Sequence, residues 1–181
     1  GYEVDFVNEL STSFMNAYVY SREKMKMRSP KYGYHNTDIS EYFNGLKKDL
    51  QDYIKDARKN NSLIGFIGGP PCPDFSVGGK NKGKDGGNGK LSSTYINLIV
   101  EMSPDFFLFE NVKGLWRTAR HRAFYEELKQ NISCADYVMT DRLTNALEYG
   151  APQDRDRILL FGVQKSVLKQ NNIEEFPWER Y

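Results

Sequence analysis

Short apolar runs alternate along this chain with longer stretches whose apolar residues return every third or fourth position. Tyr2–Val7, Leu63–Ile67, Asp105–Phe109 and Ile158–Val163 have strand length and are rich in Val, Ile, Leu and Phe. Runs of that kind suit strands buried in a parallel sheet. A further strand is expected from Tyr137 towards Leu147, running into a loop. Helical spacing predicts helices over Thr12–Met25, Ser40–Arg58, Ser92–Met102 and Phe124–Gln130. In the second of these the apolar positions are Tyr42, Phe43, Leu46, Leu50, Tyr53, Ile54 and Ala57, close to one face of a helix. Ser29–Asn36 reads as a Pro/Gly/Tyr loop, and Ser103-Pro104 stops the third helix. Alternating strands and helices predict an α/β fold with a mostly parallel sheet and helices on both faces. Sheets of that kind place ligands at the carboxyl ends of their strands, where Glu9, Cys72 and Glu110 fall.

Length and charge narrow the classes. At 181 residues the chain is long enough for one domain with a sizeable core. It carries 25 Lys and Arg against 24 Asp and Glu, so a globally basic nucleic-acid binder is not signalled and only local patches remain. No apolar run approaches the roughly 20 residues of a bilayer span. The opening segment reads as a strand and not as a signal peptide, and its first residue, Gly1, suggests a piece of a larger protein. The two cysteines, Cys72 and Cys134, make no disulfide framework and fit a reducing, intracellular setting. That setting is the nucleus for a eukaryotic protein and the cytoplasm or nucleoid for a bacterial one.

Cys72 stands out by its frame. It lies in a Pro-Pro-Cys-Pro turn after an apolar strand, so it is presented and not packed; a buried inert thiol is the competing reading. Cys134, in Asn-Ile-Ser-Cys-Ala, has no such frame and reads as structural. A Cys–His hydrolase needs a His partner, but His35 lies in a Tyr/Gly loop and His121 in a basic run. Two Cys and two His without paired spacing make no zinc site. Residues 77–89 hold six Gly, three Lys and one Asp, too few apolar groups to pack, and residues 77–90 read as a mobile loop beside the site. Gly78 to Lys84 match a phosphate-loop pattern, but Asp85 stands where a Ser or Thr would hold magnesium. Glu110 follows a strongly apolar strand and is a candidate for general acid work. Gln153, Arg155 and Arg157 alternate with Asp154 and Asp156. In a strand they share one face and offer fixed donors to a carboxylate, a pyrimidine carbonyl or a phosphate; a surface ladder of ion pairs is the alternative.

Taken in order, three motifs resemble the cytosine-5 DNA methyltransferase family. They are Gly69-Pro70-Pro71-Cys72-Pro73-Asp74-Phe75-Ser76, then Glu110-Asn111-Val112, then Gln153-Asp154-Arg155-Asp156-Arg157. Asn8-Glu9-Leu10, Thr37-Asp38-Ile39-Ser40 and Tyr149-Gly150-Ala151-Pro152 resemble the family's segments at the matching places, so the likeness runs from Glu3 to about Val163. Any one motif is modest evidence, whereas the ordered set is specific.

The resemblance implies a Rossmann-like, S-adenosylmethionine-dependent methyltransferase acting on double-stranded DNA. Cys72 is then the nucleophile towards C6 of a flipped-out cytosine, and Glu110 holds the N3 edge. Arg155, with Gln153 and Arg157 in the same motif, binds the pyrimidine O2 side. Glu9 is implied as the ribose ligand and Asp38 as the acceptor for the adenine amino group. Leu10 and Ile39 pack on adenine, and Pro71 and Leu91 line the methionine side. Ser76, Lys80, Lys82 and Lys84 are implied at the DNA once the loop closes, and the run Lys113–Arg122, with Arg117 and Arg120, is expected on the same side. The family's first, glycine-rich motif and its target-recognition domain are not in the chain, and the resemblance places them before Gly1 and after the Arg motif, or in a further domain or subunit. Pro73 after Cys72 and Asn88-Gly89 in the loop depart from the commonest pattern. An RNA cytosine-5 methyltransferase and a non-catalytic domain retaining the fold are the two other readings, the latter disfavoured by the intact Cys, Glu and Arg motifs.

Overall fold

In the computed structural model the described residues are 2–59, 62–71, 87–117 and 119–173, with residues 87–89 and 120 described by backbone alone. They fall into two compact units, Gly1–Lys59 and Asn60–Tyr181.

The first unit is built on two short parallel strands, β1 (Val7–Asn8) and β2 (Tyr34–His35), joined through helix α1 (Thr12–Lys24). The Ser11 hydroxyl caps α1 by accepting the Phe14 N–H. The strand expected over Tyr2–Val7 thus pairs only at its end, and the expected loop Ser29–Asn36 contains β2. Two residues are too few to show a period, so β2 left no pattern to read. The helix expected over Ser40–Arg58 is two pieces, a 3₁₀ turn at Ile39–Phe43 and α2 at Lys47–Arg58. The break falls at Asn44-Gly45, residues that favour irregular backbone over helix. Phe6 packs edge-on to Tyr42, with ring centroids 5.6 Å apart, and Tyr32 stacks on Tyr53 at 4.5 Å.

The second unit holds a four-stranded sheet in the order β3 (Gly65–Gly68), β4 (Phe106–Val112), β6 (Asp156–Gln164), β5 (Tyr137–Asn145). β3 and β4 are parallel, whereas β6 is antiparallel to both neighbours, so the sheet is mixed. The reason is the short connection from β5 to β6: the stretch from Ala146 to Arg155 does not carry a parallel crossover, and the chain turns back through a 3₁₀ turn at Ala146–Tyr149. Helix α3 (Gly87–Met102) begins earlier than its apolar period suggests. Next come the one-turn α4 (Gly114–Arg117), then α5 (Ala119–Cys134) and, after β6, α6 (Lys165–Gln170). Cys134, expected to be structural, ends α5 and is exposed, because the last turn of a helix leaves its outer face to solvent.

Alternation along β4 sends Phe107, Phe109 and Asn111 to one buried face. Tyr95 of α3 packs against Phe109 there, and the buried Tyr125 of α5 donates its hydroxyl to Asp141 of β5. Ile96, Ile99, Phe107, Phe109, Leu115, Tyr125, Ile132 and Leu160 are wholly buried and form this core. Gly162 of β6 makes room for a ring: a Cβ there would lie 2.2 Å from Phe107. Gly65 of β3 does the same under Phe106, where the distance would be 2.1 Å.

Candidate active site

β4 does not stop before Glu110 but runs through the whole Glu110-Asn111-Val112 motif. Its register with β6 sets Glu110 across from Leu159 and Val112 across from Arg157. Paired residues of a ladder share a face, so Glu110 and Arg157 project from the side opposite Phe107 and Phe109. There Arg157 and Glu110 form an ion pair, with Nε 2.5 Å from Oε1. The guanidinium is held further by Nη1, which donates to the Asp156 carbonyl at 2.7 Å. The Thr144 hydroxyl, from β5, donates to the Arg157 carbonyl at 3.2 Å.

Gly69 comes so close to the Glu110 carboxylate that a Cβ would lie 2.6 Å from Oε2. Asn111, 1% exposed, faces the other way and donates from Nδ2 towards the Pro70 carbonyl (3.4 Å) and the Ser92 hydroxyl (3.5 Å). Its Oδ1 accepts the Val112 N–H at 2.8 Å. One strand therefore contributes Glu110 on one face and, on the other, a polar group that anchors the Gly69-Pro70-Pro71 turn leading into Cys72. The motif pattern alone assigned Asn111 no task. Its signal was available: a polar residue at the inward step after Phe107 and Phe109 is buried, and a buried amide needs partners.

The Gln153, Arg155, Arg157 alternation does not reach a common face. β6 starts at Asp156, so Gln153 and Arg155 lie in the exposed approach and only Arg157 is fixed by the ladder. Lys113 is not a free member of the basic run either. Its ammonium pairs with Asp156 Oδ2 at 2.6 Å. Asn145 Nδ2 donates to Asp156 Oδ1 at 3.0 Å and to Asp154 Oδ1 at 2.7 Å. Lys113, followed by the Asn145 amide, holds the Asp156 carboxyl below its ordinary range. Arg117 is exposed, and Arg122 lies over the Trp116 ring at 4.7 Å. Arg120 lies on α5 and is described by its backbone alone, while Cys72, Ser76, Lys80, Lys82 and Lys84 lie outside the described residues. Pro71 is exposed and Leu91 half-buried on α3. Both histidines are occupied: His121 is buried with Nδ1 3.3 Å from the Gly114 carbonyl, and His35 Nε2 lies 2.7 Å from the Tyr32 carbonyl.

In the first unit the two implied cofactor carboxylates follow adjacent parallel strands. Glu9 comes after β1, where its N–H donates to the His35 carbonyl, and Asp38 follows β2. The two turns are laced by the Asn8 amide, which donates to the Thr37 carbonyl, and by Asn36, which donates to the Glu9 and Leu10 carbonyls. Glu9 Oε1 takes the Ser11 N–H at 2.8 Å. Asp38 Oδ1 takes both the hydroxyl (2.7 Å) and the N–H (2.8 Å) of Ser40, which lower its carboxyl and keep it charged. Among the described residues, Glu9 Oε2 and Asp38 Oδ2 accept no hydrogen bond. Leu10 is 63% exposed and Ile39 half-buried beside them.

Comparison with known proteins shows the fold and the family. Among solved structures, a DNA modification methyltransferase encoded within an E. coli prophage superposes with a TM-score of 0.64 at 27% identity, over 92% of this chain and 42% of that one. The S. pombe Dnmt2 methyltransferase superposes equally well (TM-score 0.64) at only 14% identity, over 98% of this chain and 45% of its own, and shows the shared fold. The fold is thus that of the methyltransferases. The family model for C-5 cytosine-specific DNA methylases matches residues 13–181, and the chain belongs to that family. The Type II methyltransferase M.NmeDI of Neisseria meningitidis serogroup C is 50% identical over the whole chain, which spans 43% of that relative. M.FnuDI of Fusobacterium nucleatum is 35% identical over 74% of the chain, and the match spans 37% of its length. The chain therefore covers less than half of the length of these relatives.

Proposed function

We propose that the protein to which this chain belongs transfers a methyl group from S-adenosylmethionine to C5 of cytosine in double-stranded DNA. The observation that supports this most directly is the Glu110–Arg157 pair. It is built across β4 and β6, beside the Gly69-Pro70-Pro71 turn that carries the chain to Cys72. A guanidinium fixed beside a carboxyl presents donors to the O2 of a pyrimidine, and the carboxyl, once protonated, donates to N3. Arg157 is oriented by Glu110; its remaining N–H groups and the exposed Arg155 donate to O2, with Gln153 beside them.

With the base so held, the Cys72 thiolate adds to C6 and the C5=C6 π pair moves to C5 as Glu110 stabilises N3. C5 takes the methyl group. The pair at C5 becomes the bond to the methyl carbon; the C5–H pair, left behind as the proton passes to solvent, re-forms C5=C6 and expels the Cys72 thiolate. The cofactor supplies an electrophilic methyl on sulfur, and the sulfur keeps the bonding pair. The first unit fits such a group: two carboxylates with unused oxygens stand at neighbouring strand ends, beside the apolar Leu10 and Ile39. Glu9 would take the ribose hydroxyls and Asp38 the adenine amino group. The relatives at 50% and 35% identity are named as Type II methyltransferases, which supports DNA over RNA. Lys80, Lys82, Lys84, Ser76, Arg117 and Arg120 would meet the phosphates.

The test is covalent capture. On duplex DNA with 5-fluorocytosine at the target, the fluorine cannot leave as the proton does, so the full-length protein should remain attached through Cys72 after methyl transfer. Cys72→Ser should give neither adduct nor turnover while still binding the cofactor, since a hydroxyl is a far weaker nucleophile than a thiolate. An adduct at Cys134, or turnover by the Ser variant, refutes the assignment.

A further inference from the structure

The end of the β4–β6 ladder is tied on both faces, and only one of the ties belongs to the reaction just described. On one face stands Glu110–Arg157. On the other, Lys113 follows the last residue of β4 and reaches Asp156, the first residue of β6. Asp156 is the hub of that second tie. Its Oδ2 accepts from Lys113 and its Oδ1 from Asn145, the last residue of β5, whose amide also donates to Asp154. Three strand ends therefore converge on one carboxylate. Asn145 is itself fixed, since its Oδ1 accepts the Leu147 N–H and caps the 3₁₀ turn Ala146–Tyr149, with Glu148 returning to the Asn145 N–H.

Stability does not explain this arrangement. The Lys113 and Asp156 side chains are 38% and 33% exposed, and exposed ion pairs stabilise folds by about 0–1 kcal/mol. What the tie fixes is position. Asp156 is bonded to Arg157 through the backbone, and its own carbonyl accepts Arg157 Nη1. Fraying at the end of a ladder would move both. We infer that Lys113, Asp156 and Asn145 form a positioning clamp that holds the start of β6 so that Arg157 stays on Glu110. They are positioning residues and touch neither substrate nor cofactor. The clamp removes Lys113 from the phosphate-binding run in which its place in the sequence put it. The inference rests on the methyltransferase reading for its consequence in turnover, but not for the geometry it asserts.

The experiment uses the full-length protein with ¹⁵N-labelled arginine and compares Lys113→Met, Lys113→Arg and Asp156→Asn. The Arg157 Nε–H resonance, assigned by its loss in Arg157→Lys, should be displaced from the free-arginine position and protected from exchange. Lys113→Met and Asp156→Asn should return it towards the free position, and Lys113→Arg should keep it. In turnover, the first two should lower kcat by roughly tenfold, as small misplacements of catalytic groups do, with KM for DNA and its salt dependence unchanged. Lys113→Arg should restore kcat. An Arg157 resonance unmoved in Lys113→Met overturns the clamp. So does a lower melting temperature with kcat intact, which marks a merely structural pair. A raised KM for DNA with a salt slope reduced by about one marks Lys113 as a phosphate ligand instead, and also overturns it. If the wild-type protein transfers no methyl group, the methyltransferase reading fails, and the resonance alone still decides the clamp.

Discussion

Replacing Gly69 with Ala should separate turnover from stability. The added Cβ would lie 2.6 Å from Glu110 Oε2 but 3.6 Å from the Cβ and Cδ of the same residue, so only the carboxylate is obstructed. Reaching the 3.4 Å at which ordinary contact begins requires Oε2 to retreat by about 0.8 Å. A free glutamate would turn aside at little cost. Glu110 is not free, because its Oε1 is ion-paired with Arg157, 2.5 Å from Nε. The carboxylate must either stretch that ion pair or drag the guanidinium with it. A misplacement near 1 Å costs on the order of 10²-fold in rate, or about 2.7 kcal/mol of barrier. Gly69 is exposed, so the fold should change by less than about 1 kcal/mol. Gly68→Ala is the control. Its Cβ would meet the Tyr95 ring at 2.6 Å, a packed ring that cannot retreat, and overpacking costs about 1–3 kcal/mol. Single-turnover methylation of duplex DNA and thermal unfolding, measured on both variants in the full-length protein, give the answer. Gly69→Ala should lose rate and keep its melting temperature; Gly68→Ala should lose melting temperature. Wild-type rates from Gly69→Ala, or equal destabilisation of the two variants, would refute the reasoning.

Reversing Arg117 and Arg120 to Glu should weaken duplex binding and flatten its dependence on salt, by about one unit of slope for each phosphate no longer held; unchanged binding across a salt series would sink the assignment. Asp56 predicts a pH effect: Lys31, then Tyr32 and Lys59, hold its carboxyl at about 2, against roughly 3.9 in an unfolded chain. A lowered folded value contributes stability above about pH 4 that is lost as the pH falls towards 2. Asp56→Asn should therefore melt below the wild type at pH 6, with the gap closing between about pH 4 and pH 2; a gap of constant size would contradict it.

The sequence carried the α/β class, the positions of the long elements and all three motifs, because each rests on a run of residues with a period or on a dense local pattern. It did not carry the two-residue β2 or the break at Asn44-Gly45. It also ended β4 too early, since Glu110 and Asn111 look like the exit from a strand when read by polarity. Inside the ladder they are its last working steps, one polar group aimed to each face. The face shared by Gln153, Arg155 and Arg157 failed for the related reason that alternation counts only within a strand, and β6 begins at Asp156. The Lys113–Asp156 pair joins residues 43 positions apart, and no local pattern announces a partner at that distance.

The hollow that Gly162 leaves for the Phe107 ring acts as an alignment key for a site it never touches. Phe107 pairs with Gly162, and the same count along both strands sets Glu110 opposite Leu159 and within reach of Arg157 only while that pairing stands. A shift of β6 by two residues would push Leu160 or Gln164 under the ring, where no side chain fits. The number of residues in the loops between the Glu and Arg motifs is therefore free to vary, whereas the number separating Phe107 from Glu110 and Arg157 from Gly162 is not. An insertion in the loop changes the surface, while a single residue added inside either strand turns the carboxylate and the guanidinium away from each other.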